Sequence, residues 1–239
     1  MDSLNKFSPE DKDLLRKSWH VLEKKLNDTA YNIFEMIFNQ SPDTKQLFPF
    51  MKINQNHRGG RSREMEFHGL RFMQVLQSVV ASIDNPQSLD PLCDNLGRVH
   101  GRLSESRGFK THHWGVFIEC TLFHFRKVLS QDHYFHRMEL IDRTIILWRT
   151  VLRCLIKQMK KGFNTDIKNR QANRDEAAMV NSSASSSPST EISLPITHSI
   201  TLPNINSTKR EERVQSNGIF RPLKDFARKR IIAKFQDSH

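Results

Sequence analysis

The sequence predicts an all-α fold, and three observations predict it. Apolar residues recur at spacings of three and four over long windows of residues 1–164, the period of an amphipathic helix, and no segment reads convincingly as a strand. The chain of 239 residues holds 16 Phe against 2 Tyr and 9 Gly, a balance that favours packed helices over turn-rich β structure. Ser8-Pro9, Ser41-Pro42, Asp84-Asn85-Pro86 and Pro91 sit where helices should begin and end.

The elements run in order along the chain. Ser8-Pro9-Glu10-Asp11 is a helix start, with a capping hydroxyl, proline in the first turn and acids at the positive end of the dipole, leading into Leu14, Leu15, Trp19 and Leu22. A second helix carries Ala30, Ile33, Phe34, Ile37 and Phe38 and stops at Ser41-Pro42. After a turn and a polar, Gly-containing loop comes a long helix with Met65, Phe72, Val75, Leu76, Val79 and Ile83, ended by Asp84-Asn85-Pro86. Pro91 opens a helix with Leu92, Leu96, Val99 and Leu103. Two long helices close the series, one with Trp114, Phe117, Phe125 and Val128, the other with Met138, Ile141, Ile145, Trp148, Leu152, Leu155 and Met159.

Composition then divides the chain. Lys and Arg number 37 against 26 Asp and Glu, a net charge of +11, and a mean hydropathy of −0.59 with 37% hydrophobic residues implies that one part packs and another does not. The excess is spread, with +7 in residues 1–164 (25 basic, 18 acidic) and +4 in residues 165–239 (12 basic, 8 acidic). Between Asn181 and Thr208 lies a Ser/Thr-dominated stretch without Lys or Arg, punctuated by Pro188, Pro195 and Pro203. Three regions are expected: a helical domain over 1–164, a disordered linker over 165–217 and a basic amphipathic tail over 218–239. In that tail Leu223, Phe226, Ala227, Ile231 and Phe235 fall at helical spacing beside Arg221, Lys224, Arg228, Lys229 and Lys234. Such a segment suits an anionic membrane surface, a calmodulin-like partner or a nuclear import signal through Arg228-Lys229-Arg230, and equally a solvated tail with no partner.

No run reaches the roughly 18 apolar residues of a membrane span, and the first residues lack a basic start with an apolar core. Cys93, Cys120 and Cys154 are few, distant and odd in number, as expected of reduced thiols. The expected location is therefore cytoplasmic, with peripheral membrane contact through the tail as the variant reading. The high net charge raises a basic module for nucleic acid or an anionic membrane as the alternative class. Against nucleic acid, the charge of the helical part is dispersed, with no zinc-spaced Cys/His set and no basic-aromatic sheet motif. Carboxylate-pair and Ser/His/Asp catalysis find no pattern either.

Two histidines carry the chemistry. His68 lies between Met65 and Phe72 on one apolar stripe, and His100 lies between Leu96 and Leu103 on another. One such histidine usually satisfies a core; two on separate helices can flank a planar metal complex, the ligation used by haem iron. Periodicity alone leaves both readings open.

The order of features resembles the globin family: Pro42 in a short helix, Phe48 six residues later, His68-Gly69 in the next long helix, and His100 on the helix after. Within the family it is similar to the neuroglobin-like branch, through Arg16-Lys17-Ser18-Trp19, Ile33-Phe34 to Phe38, and Leu96-Gly97-Arg98-Val99-His100. The resemblance covers about residues 7–163. It implies a globin fold of helices A to H around haem b, iron protoporphyrin IX, binding oxygen or another diatomic gas. By the same resemblance His100 is the proximal ligand with Leu96 one turn before it, and His68 is the distal residue, itself able to ligate. Phe48 leans on the porphyrin, Arg71 reaches a propionate or is simply solvated, and Phe34 and Phe72 form the distal wall or ordinary core. Phe72 stands where a small aliphatic residue is more usual, and Phe34 donates nothing, so a crowded pocket with His68 as its one donor is expected. That suits redox, electron-transfer or sensing roles, with an unknown reductase or signalling partner, more than bulk transport.

Overall fold

A computed structural model describes residues 1–48 and 62–184. These form seven α-helices, α1 Asp2–Asn5, α2 Pro9–Glu23, α3 Leu26–Gln40, α4 Arg63–Ala81, α5 Asp90–Arg107, α6 His113–Leu129 and α7 Met138–Ala184. Single 3-10 turns lie at Pro42–Leu47, Pro86–Leu89 and His133–Phe135, and there is no strand among the described residues.

The start signals act as the sequence predicts. The Ser8 hydroxyl accepts the Asp11 N–H at 3.2 Å while the Asp11 carboxylate accepts the Ser8 N–H, a reciprocal capping box that satisfies two donors a helix start would otherwise leave open. Ser62 caps α4 by accepting the Met65 N–H at 3.4 Å. At the far end of α5, Gly108 adopts a left-handed φ of 72°, and the Phe109 N–H closes back on the Leu103 carbonyl at 3.1 Å. That reversal turns the chain into the corner before α6.

Helices α2, α6 and α7 meet around Trp148, which is fully buried. Its ring lies 5.1 Å from Phe125 and 6.1 Å from Trp19. Its indole N–H would be costly to bury unpaired; it donates to the Ser18 hydroxyl at 2.9 Å, which in turn donates to the Leu15 carbonyl at 2.8 Å.

Helix α5 is held mainly by α7, and glycine makes the crossing possible. A Cβ at position 97 would fall 1.9 Å from the Met159 carbonyl oxygen, and one at 162 would fall 2.2 Å from the Asp94 carbonyl oxygen. The two backbones therefore touch, which fixes the height and rotation of the helix that bears His100.

Helix α7 corrects the expected boundary. Residues 165–184, assigned to a disordered linker by composition, are helix. The cause lies in contacts that composition does not report: Ile167 packs on the core, and Asp166 pairs with Arg170 at 2.8 Å and with Arg102 of α5 at 3.9 Å. Glu105 of α5 adds pairs to Arg170 and Arg174. The rest of the expected linker and the basic segment 218–239 lie outside the described residues. No described helix is long and apolar enough to cross a membrane.

Candidate functional site

Four elements bring the sequence-predicted residues together. Helix α3 supplies Phe34, the end of the Pro42–Leu47 turn supplies Phe48, α4 supplies His68, Arg71 and Phe72, and α5 supplies Leu96 and His100. Gly69, next to His68, lets α4 lie against Ala30 of α3, where an added Cβ would meet the Ala30 Cβ at 3.0 Å.

On one wall, His100 Nδ1 lies 2.8 Å from the Leu96 carbonyl oxygen. A carbonyl can only accept, so Nδ1 carries the proton and donates. The lone pair then resides on Nε2, which has no hydrogen-bond partner among the described residues. Leu96 thus acts through its backbone, fixing the tautomer a metal ligand needs. The ring is flanked by Trp114, 4.8 Å between centroids, and Phe109, 5.2 Å.

On the other wall, His68 is wedged between Phe34 at 5.0 Å and Phe48 at 4.8 Å, both nearly perpendicular to it. Its ring nitrogens have no hydrogen-bond partner among the described residues. Phe72 extends this wall, 6.3 Å from Phe34 and 4.7 Å from Phe117 of α6. Arg71 stacks its guanidinium over Phe67 at 4.6 Å.

Electrostatics agree with the geometry. Burial pushes the His68 pKa down to about 4, assisted by the fields of His100 and Arg71. His100 is also lowered by burial, partly offset by its bond to Leu96. Both imidazoles are therefore neutral near pH 7, with lone pairs available to a metal. Yet both keep part of their surface accessible. Trp114 Nε1–H, beside His100, is buried without a partner among the described residues. The donor set and the aromatic walls fit a flat, largely apolar metal complex.

The sequence of residues 31–145 matches the family model for globins. The chain belongs to the globin family. This globin is 28% identical over 154 residues to the globin-related protein glb-13 of Caenorhabditis elegans, covering 64% of the present chain and 51% of that protein. It is 27% identical over 131 residues to a neuroglobin of Tetraodon nigroviridis, 54% of this chain and 80% of that one. The chain spans only about half the length of glb-13, and 44% of globin-like protein 26 of C. elegans, 28% identical over 83 residues or 35% of this chain. Among solved structures, a hexacoordinated heme protein from an anhydrobiotic tardigrade aligns with a TM-score of 0.56 at 20% identity, over 69% of this chain and 99% of that one. The fold is thus that of a globin.

The residues that sequence reasoning did not assign to the site are Trp114, Phe109 and Phe117. Trp114 and Phe117 read as core of their own helix, and the corner holding Phe109 has no periodicity to read. Helix α6 packs on α2, α3 and α7, and this tertiary placement, with the corner before it, brings Trp114 and Phe109 to His100 and Phe117 to Phe72.

Proposed function

We propose that this globin binds haem b in the cleft between His68 and His100, with His100 as proximal ligand through Nε2 and His68 on the distal side. The observation that carries the reading is the His100 Nδ1–H bond to the Leu96 carbonyl at 2.8 Å, which leaves the lone pair on Nε2 without a protein partner among the described residues. The haem iron, when bound, supplies the coordination site for oxygen or another diatomic gas. Non-covalent binding is supported by the cysteines, since Cys93, Cys120 and Cys154 form no Cys-x-x-Cys-His attachment pattern. Phe48 and Phe34 orient His68; Trp114 and Phe109 orient His100; Arg71, on the His68 side, offers charge to a propionate.

His68 takes the sixth position when no gas is bound. Support comes from its neutral ring, its nitrogens without protein partners, and the name of the tardigrade neighbour. A gas must then wait for His68 to leave, and apparent affinity falls by the fraction of molecules in which the site is open. Two histidine ligands and a crowded distal wall suit electron transfer or sensing better than bulk transport.

The test is the optical spectrum of the haem-reconstituted ferrous protein. A Soret band of six-coordinate, low-spin form is expected, changing to a five-coordinate, high-spin form in His68→Ala with faster carbon monoxide binding. His100→Ala should lose or severely loosen haem. No Soret band after reconstitution of the wild type would overturn the reading.

A further inference from the structure

The turn that ends in Phe48 is gripped from the opposite side of the site. Asp43, in that turn, lies 3.0 Å from Nε2 of His113 and 3.6 Å from Nζ of Lys110, and its other carboxylate oxygen accepts the Ser41 hydroxyl at 2.6 Å. His113 is 4% exposed, and its Nδ1 accepts the Lys110 backbone N–H at 3.0 Å. The proton must therefore sit on Nε2, which donates to Asp43. Gly108 lies beside the same turn, where an added Cβ would come within 3.3 Å of Gln46 Nε2. The corner between α5 and α6 thus bonds the turn through His113 and lies close against it at Gly108.

The same corner touches the proximal wall. Phe109 packs on His113 at 5.3 Å and on His100 at 5.2 Å, while Phe48, just beyond the gripped turn, packs on His68 at 4.8 Å. Contacts run from His100 through Phe109 and His113 to Asp43, the backbone of the Pro42–Leu47 turn leads on to Phe48, and Phe48 meets His68.

Resting on the reading that His68 takes the sixth position, we propose that the Asp43–His113 hydrogen bond is a clamp that seats Phe48 against His68 and so sets how fast His68 leaves the iron. His113 and Asp43 are positioning residues, since neither touches the cleft's ligand. The clamp requires two states, His68 on the iron with Phe48 behind it and His68 withdrawn. Releasing the clamp frees the turn, loosens one of the two rings that wedge His68, and favours the withdrawn state.

The same side chains admit another reading, because ligand atoms of Asp43, His112 and His113 lie within 4.8 Å of one another. A metal on His113 Nε2 would need the proton on Nδ1, where the Lys110 N–H already points. The clamp is therefore the better account.

The test uses the full-length, haem-reconstituted protein and the carbon monoxide binding phase limited by His68 release. In Asp43→Asn, where a neutral amide oxygen replaces the carboxylate and the bond loses its charge assistance, that phase should run about three- to tenfold faster, with the Soret position unchanged. In a His68→Ala background, Asp43→Asn should leave the binding rate unaltered, because there is no distal ligand left to hold. His113→Gln provides the second variant and should accelerate release in the same way. An unchanged phase in both variants overturns the clamp, as does an equal effect in the His68→Ala background. Loss of haem uptake in both variants would make the contact a folding requirement and overturn it too. A wild-type protein with a Soret band but no His68-limited phase would remove the ligation reading, and the clamp with it, while leaving haem binding in place.

Discussion

Gly97 of α5 and Met159 of α7 meet backbone to backbone, so closely that a single methyl at position 97 would lie 1.9 Å from the Met159 carbonyl oxygen. The atom in the way is main chain of α7 and cannot swing aside as the end of a side chain would. His100 stands one turn further along α5, so the crossing that excludes a Cβ also sets where its imidazole emerges.

Gly97→Ala should therefore destabilise the protein by about 1 to 3 kcal/mol or more, the range for overpacking, despite alanine's better helix propensity. Urea unfolding measures the loss, and haem affinity should fall with it because α5 must shift. Stability equal to or above wild type would show that the two helices have room to part.

The crossing also shows where sequence reading stops. Gly97 is visible in the stretch Leu96 to His100 as part of a family pattern, but its reason, a backbone contact with a residue 62 positions later (159 − 97), is tertiary. The helices, caps and both histidines were legible because period, proline and serine signals are local. Trp114 and Phe109 were not assigned to the site because their role depends on which helix lies beneath which. The end of α7 was misread for a related reason: residues 165–180 are polar, and what keeps them helical is pairing of Asp166, Arg170 and Arg174 within the helix and with α5.

A second prediction concerns the distal wall. Phe72 fills the space between Phe34 and Phe117, so Phe72→Val should open a path beside His68 and speed carbon monoxide association once His68 has left. The void should cost about 1 to 3 kcal/mol in stability. Flash photolysis in the His68→Ala background isolates this step from ligand release. An unaltered rate there would place Phe72 outside the route of the gas.

Acid should weaken the protein when it carries no haem. Burial holds His68 at about 4 and lowers His100, whereas unfolded histidines protonate near the ordinary value of about 6.5. Between those values the unfolded chain binds more protons than the folded one, so stability rises with pH and falls as pH drops from 6.5 towards 4. The slope is at most about 1.4 kcal/mol per pH unit for each histidine. Urea midpoints of the apoprotein from pH 4.5 to 7.5 measure it, and His68→Gln should flatten the dependence. Identical pH profiles for the two proteins would mean that His68 does not titrate in this way.

The last prediction separates the C-terminal part of α7 from the residues beyond it. Removing residues 185–239 deletes none of the site residues and should leave haem uptake and the unfolding midpoint close to those of the full chain. Removing residues 165–239 deletes Asp166, Arg170 and Arg174 and the packing of Ile167, and exposes Gly101 and Arg102 of α5. Each ion pair is partly exposed and contributes at most about 1 kcal/mol, and partial burial of one isoleucine adds about as much. The shorter chain should thus be less stable by about 1 to 3 kcal/mol. Since the lost ion pairs between helices fall on Arg102 and Glu105 of α5, haem release should quicken as well, through movement of the helix that carries His100. Equal stability and equal haem release in the two truncations would return the boundary to residue 164, where composition alone places it.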